Sequence, residues 1–161
     1  MAKQIKTNVM RLLEQHSVPY TEHHYFGNDV ESGMDVAKKM GNNPQQQFKT
    51  LVTSGKSGEH YVFVIPVNRE LDLKKAARAV NEKSAAMIKE KDLLPLTGYV
   101  HGGCSPIGMK KQFETVFHHT AKTLNTIIFS AGKVGVSVEV STKELNDLFP
   151  FDYADIIKHS F

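Results

Sequence analysis

A chain of 161 residues and 18.0 kDa fits one domain, long enough to bury roughly 70% of the surface its unfolded form exposes. Apolar content of 40% and charged content of 23% exclude a disordered chain, and a single cysteine excludes an internal disulfide and suits a reducing cytosol. The net charge of +3, with an isoelectric point near 8.9, argues only weakly for a polyanionic partner.

The N-terminal MAKQIKTNVMRLLEQ has no apolar region of the signal-peptide kind, and no run approaches the length of a membrane span. The protein is therefore expected in the cytoplasm, with no membrane partner. Ile5, Val9, Leu12 and Leu13 recur at helical spacing and predict an amphipathic helix over 4–16. Pro19 ends it, and residues 20–26 read as a strand bearing aromatic side chains. Ser32 is placed to cap a helix carrying Met34, Val36, Ala37 and Met40, closed by Gly41 and the Asn-Asn-Pro turn after it. Residues 47–53 and 60–66 predict a β-hairpin around the turn Ser54-Gly55-Lys56-Ser57-Gly58. Asp72 opens a basic helix with Leu73, Ala76, Ala77 and Val80 on its apolar side. Residues 85–88 predict a short strand, and 89–94 a short helix ended by Pro95. Apolar β-type runs follow at 115–117, 126–130 and 134–140. Ser141 and Glu144 then have capping-box spacing, and a last short helix is predicted over 153–158. Helices dispersed among strands joined by short turns predict an α+β domain with a mostly antiparallel or mixed sheet, a pattern compatible with closure into a barrel.

The segment Gly98-Tyr99-Val100-His101-Gly102-Gly103-Cys104-Ser105-Pro106-Ile107-Gly108 carries the densest information. Four glycines and a proline forbid a regular element and predict a stiff loop with bare backbone N–H groups. Such a loop suits carbonyl or phosphate oxygens; it equally suits a tight connection between strands. Lys49 lies inside a run of strand formers. Alternation leaves open whether it faces a cleft, where burial would lower its pKa, or snorkels from an edge. Cys104 has no specific partner base, since glycines separate it from His101, and it reads as a small buried hydrophobe. The adjacent pairs His23-His24 and His118-His119 lack metal-site spacing, so no metal or other cofactor is expected. Gly55-Lys56-Ser57 lacks the spacing of a phosphate-binding loop. The turn Ser130-Ala131-Gly132-Lys133-Val134-Gly135 offers a hydroxyl and N–H groups to an ester, or is a simple hairpin. Between residues 73 and 91 lie Lys74, Lys75, Arg78, Lys83, Lys89 and Lys91, with Lys110 and Lys111 after the glycine loop. Gathered on one side, they would attract a phosphate backbone; singly, each reads as part of a solvated face.

Three segments together, Phe48-Lys49-Thr50-Leu51, Gly98-Tyr99-x-x-Gly102-Gly103-x-Ser105-Pro106-x-Gly108 and Ser130-Ala131-Gly132-Lys133, resemble the YbaK/EbsC family of aminoacyl-tRNA deacylases. That family is related to the editing domain of some prolyl-tRNA synthetases. The resemblance runs over nearly the whole chain, including Leu71-Asp72-Leu73-Lys74-Lys75 and Phe151-Asp152-x-Ala154-Asp155-Ile156. It implies one domain over residues 1–161, with helices around a distorted mixed or antiparallel β-barrel.

The resemblance also implies an activity: removal of cysteine from Cys-tRNA(Pro), and potentially from Cys-tRNA(Cys), in trans beside prolyl-tRNA synthetase. It puts Lys49 at the family's active-site lysine with Thr50 beside it, and Tyr25 at an aromatic position after the first strand. Gly102, Gly103 and Ser105 fall in one pocket segment, and Ser130 and Gly132 in a second, with Ser137 near an acidic pocket position. Ser32, Ala131 and Ser137 depart from the YbaK branch and put its cysteine preference in question. Lys74, Lys75, Arg78, Lys110 and Lys111 are the expected tRNA contacts. No Ser-His-Asp or Cys-His set is visible, so the expected mechanism is positioning and charge stabilisation, with attack by the substrate thiol or by water. Two other readings stay open: a catalytically silent tRNA- or synthetase-binding module, and a deacylase for another amino acid.

Overall fold

The computed structural model describes residues 6–24 and 45–159, and the predicted Ser32 helix, with Tyr25 and Ser32 themselves, lies outside them. Helix α1 (Asn8–Gln15) begins where Thr7 accepts a hydrogen bond from the Met10 N–H, and it buries Val9, Met10 and Leu13. Strand β1 (Thr21–His24) follows the Pro19 break. The hairpin forms as expected: β2 (Phe48–Gly55) pairs with β3 (His60–Pro66), Phe48 opposite Pro66 and Ser54 opposite His60. Gly55 leaves room there for the Glu82 side chain, which a Cβ would approach to 2.3 Å and have to displace. Glu82 in turn accepts from Ser57 Oγ and the Tyr61 hydroxyl, which pins the turn.

Helix α2 (Leu73–Ala79) is capped by Asp72, whose carboxylate takes the N–H groups of Lys74 and Lys75. Ala76, Ala77 and Val80 are buried, while Leu73 is left exposed in the first turn. Strand β4 (Ala85–Met87) leads into α3 (Glu90–Thr97). That helix runs through Pro95 and stops at Gly98, which takes the left-handed conformation (φ 88°) and donates to Leu94 O. The expected stop at Pro95 is thus displaced by one turn. Pro95 forfeits a single helical bond, whereas the positive φ at Gly98 closes the helix.

Strand β5 (Glu114–His118), a 3-10 turn (His119–Lys122), β6 (Ile127–Lys133) and β7 (Val136–Val140) follow. A register shift between Ser130 and Lys133 makes the predicted second turn a bulge within β6; the tight turn itself is Val134-Gly135. Helix α4 (Thr142–Leu145) starts at Ser141, but no side-chain capping bond forms; Ser141 contributes its carbonyl instead. Residues 153–158 are not helical. Strand β8 (Asp152–Ala154) pairs parallel with β5, and Ile157 bridges Leu71.

The domain is α+β with two sheets, ordered β1-β7-β6 and β4-β2-β3-β5-β8. In the larger sheet β2–β3 and β2–β4 are antiparallel, while β3–β5 and β5–β8 are parallel. The named strands form no closed barrel among the described residues. The sheets join at a parallel bridge between Gln47 and Ile128, reinforced by the Ile128 N–H donating to Gln46 O at 2.9 Å. Strand β3 is buried on both faces, which explains its unbroken apolar run. Val62 and Val64 face a larger core with α1, β6 and β7; Tyr61, Phe63 and Ile65 face a smaller core under α2.

Candidate functional site

Alternation along β2 sorts its side chains. Phe48 and Val52 belong to the larger core, so Thr50 lies on that face. Lys49 shares the opposite face with Leu51 and with its cross-strand partner Ile65. Its amine is half-buried; this desolvation holds it below the usual lysine range, with Glu70 pulling the other way. The Thr50 hydroxyl is buried and makes no hydrogen bond.

On β6 and β7 the same rule applies. Ile127, Phe129, Ala131, Val136, Val138 and Val140 enter the larger core, so Ser130, Ser137 and Glu139 take the opposite face. Ser130 is the cross-strand partner of Ser137, and Ser137 that of His23. Ser130, Ser137 and His23 thus form one row across three paired strands. The register of the Gln47–Ile128 bridge, carried two residues on, would bring Lys49 to the Ser130 end of it, on the side away from the larger core. The methyl of Ala131 points into that core, so this departure does not alter the row.

The glycine loop meets the same hairpin from its other end. A Cβ on Gly103 would stand 3.1 Å from Val134 N, and one on Gly132 (φ 91°) would stand 2.9 Å from a ring carbon of Tyr99. The Tyr99 hydroxyl donates to Ile107 O at 2.5 Å and lies against Gly108. Tyr99, Cys104, Ile107 and Met109 belong to the larger core, so the loop and Lys49 meet through β6 and not each other. The bare-amide expectation holds only in part. Gly103 is buried and donates to Val100 O at 3.0 Å, while Gly102 is exposed with φ 87°. Ser105 does not take the expected pocket role. Its side chain is fully buried and accepts the Ile107 N–H, so it shapes the loop and has no surface for a ligand.

Of the expected tRNA contacts, Lys74, Arg78, Lys110 and Lys111 are exposed, with Lys111 above the Phe113 ring at 5.7 Å. Lys75 is partly committed: its side chain is 27% exposed, and its amine donates to Asp155 and to Ile157 O, at 3.1 and 3.0 Å, which leaves one of its three donors. A cleft of about 620 Å³ opens at the far end of β2, beside Ser54, His60, Lys89 and Lys91. Five strand residues, roughly 17 Å, separate Ser54 from Lys49, so this cleft is distinct from the row.

Among the described residues, His118, His119 and Asp155 bring one metal-ligand atom each within 4.8 Å of one another. Two of the three already hold hydrogen bonds. His118 Nδ1 accepts from the Ile156 N–H, and Asp155 accepts from Lys75 and His159. The group reads as a clasp on β8. Sequence reasoning also missed a network around Glu139, whose members His23, Gln46 and Thr126 are too far apart in sequence to show a spacing.

A family model described as the aminoacyl-tRNA editing domain matches residues 28–148. The chain belongs to this family. Over 154 residues it is 46% identical to an Enterococcus faecalis protein provisionally named Cys-tRNA(Pro)/Cys-tRNA(Cys) deacylase EbsC, covering 95% of this chain and 94% of that one. It is 26% identical over 150 residues to the proline–tRNA ligase of Fervidobacterium nodosum, covering 81% of this chain but only 26% of the ligase. The fold matches a crystal structure provisionally described as a trans-editing enzyme for prolyl-tRNA synthetase. That match has a TM-score of 0.79 at 22% identity and covers 96% of this chain and 99% of that one. The fold class read from the sequence is thereby confirmed, with open sheets in place of the barrel. No helix among the described residues is long and apolar enough to cross a membrane.

Proposed function

We propose that this protein is a single-domain aminoacyl-tRNA deacylase that removes cysteine from mischarged Cys-tRNA(Pro) in trans, with Cys-tRNA(Cys) as a second substrate. The observation that carries the reading is the row Lys49, Ser130, Ser137 in a member of the editing family. A half-buried cation with the partly exposed Ser130 hydroxyl on the neighbouring sheet suits the carbonyl and terminal ribose oxygens of an acyl-adenosine. Ser137, only 3% exposed, lies behind Ser130 and does not reach a ligand directly.

An aminoacyl ester is already activated, so the protein need only orient it and stabilise charge. Lys49 donates to the carbonyl oxygen as negative charge grows there. In the thiol route the cysteine sulfur bonds to the ester carbon and the bond to the ribose oxygen breaks. The thiol proton passes to that oxygen, leaving free tRNA and a cyclic thiolactone of cysteine. Water in place of the thiol gives free cysteine. The thiol route also accounts for selectivity, because alanine has no such attacker. Prolyl-tRNA synthetase is the partner that supplies choice of tRNA, and the cytoplasm is the place of action.

A panel of mischarged tRNAs tests the reading. The wild type is expected to clear Cys-tRNA(Pro) and leave Ala-tRNA(Pro). Lys49→Ala is expected to lose about a hundredfold in rate, the scale of one lost charge-stabilising donor. Its melting temperature should stay within about 3 °C of the wild type. Failure to deacylate any member of the panel, or wild-type rates in Lys49→Ala, overturns the assignment.

A further inference from the structure

The carboxylate of Glu139 is a junction of four segments. It lies 2.6 Å from Thr126 Oγ1, 2.8 Å from His23 Nε2 and 3.3 Å from Gln46 Nε2, and Gln46 also donates to Thr126 Oγ1 at 2.8 Å. The hydrogen bond from Thr126, with those from His23 and Gln46, outweighs burial and holds the carboxyl below its usual range. It is therefore the charged acceptor, and His23 presents its Nε2–H to it.

Each partner lies on a strand that carries a residue of the row, or on the segment leading into one. Gln46 is three residues before Lys49, Thr126 four before Ser130, and Glu139 two after Ser137, whose cross-strand partner is His23. Lys49 belongs to the larger sheet and both serines to the smaller one. Their mutual placement depends on the join between the sheets. The backbone part of that join, Gln47–Ile128 with Ile128 N–H to Gln46 O, is open to any sequence. The shared larger core joins the sheets by non-directional apolar packing; the directional, polar side-chain part of the join is Glu139. Charge-assisted bonds are short and directional, and in a partly buried network the loss of one donor displaces the others.

We infer that Glu139 is the positioning residue of the site: by holding Gln46, Thr126 and His23 it sets Lys49 on one sheet against Ser130 and Ser137 on the other. The consequence for rate rests on the deacylase reading; the geometric consequence does not. Glu139→Gln keeps the shape and loses the charge, Thr126→Val removes one donor, and Thr126→Ser restores it.

Two readouts are taken on each variant. The first is kcat and KM for Cys-tRNA(Pro). The second is the titration of Lys49, followed by carbon-13 NMR of reductively dimethylated protein and assigned against Lys49→Arg. Glu139→Gln and Thr126→Val should lose about tenfold in kcat with KM within about threefold, the scale of a sub-ångström misplacement, and Thr126→Ser should recover. In the same two variants Lys49, held low by burial and raised only by Glu70, should titrate closer to an ordinary lysine as misplacement opens it to water. The lost Glu139 charge opposes this slightly in Glu139→Gln and is absent as a factor in Thr126→Val. An unmoved Lys49 titration in both overturns the inference whatever the rates, as does wild-type kcat in both. If Glu139→Gln fails to fold, the Thr126 pair decides. If even the wild type is inactive on every tRNA, the deacylase reading falls, and the Lys49 titration still decides the role of Glu139.

Discussion

Cys104 and Gly132 show how a single position is governed by its neighbours and not by its type. The Cys104 thiol packs against the larger core, and burial pushes its pKa up to about 12. At pH 8 only about one molecule in ten thousand then carries a thiolate. A thiol reagent is expected to leave the native protein unmodified for minutes and to titrate one equivalent in guanidinium. Rapid native labelling would contradict this packing. At Gly132 the cost is steric: a side chain there must accept φ 91° and displace the Tyr99 ring. Gly132→Ala should lose about 2 kcal/mol in urea unfolding, combining left-handed strain with the shift of Tyr99. The need for glycine was legible as a turn signal, but the reason, a tyrosine 33 residues upstream, was not. Lys75 and Ser105 mark the same limit. Sequence shows a charge or a hydroxyl, and only the fold shows that Asp155, Ile157 and Ile107 already engage them.

Elements built on local chemistry were legible: the Asp72-capped helix, the 47–66 hairpin and the strands of the β6–β7 pair. The C-terminal segment was not, because a neighbour overrides its helical propensity. Tyr153 pairs with Phe117 on β5, Phe151 stacks on Phe117 at 4.6 Å, and the N–H groups of Asp72 and Lys158 bond to Ile156 O and Glu70 O. Beneath β8 sits His118, its pKa lowered to about 4 by burial first and by His119, with Asp155 opposing. A histidine held neutral in the fold stabilises it fully above its unfolded pKa of about 6.5, and that contribution is lost as pH falls towards 4. Asp155 extends the loss to lower pH. Burial raises its pKa, but bonds from His159 and Lys75 bring it down to about 2. Between pH 7.5 and 5 the wild type should therefore lose about 1 kcal/mol or more of unfolding free energy. His118→Asn, which cannot titrate, should lose distinctly less over the same interval. Parallel pH profiles would remove His118 from the account.

The two-core arrangement limits where a nucleic acid can lie. Lys49 shares a face of the larger sheet with the small core under α2, and the glycine loop with Lys110 and Lys111 packs over the other core. The basic residues grouped by composition therefore fall on two sides of one sheet, and under the proposed function a single acceptor stem whose 3′ end reached Lys49 would meet only one of the two groups. Alternation in the sequence could not reveal this, because it fixes which residues share a strand face but not which core each face meets. Lys74 and Arg78, one helical turn apart and exposed on α2, lie on the Lys49 side. Replacing both with alanine should raise KM for Cys-tRNA(Pro) severalfold and reduce the slope of log affinity against log salt by about 1.5, two phosphate contacts' worth. Lys110→Ala with Lys111→Ala should leave that slope unchanged, because those charges face away from the bound stem. The outcome that would defeat this placement is the reverse: a slope that falls only with the second pair, which would bring the stem over the glycine loop and force the acyl end to enter past Gly102.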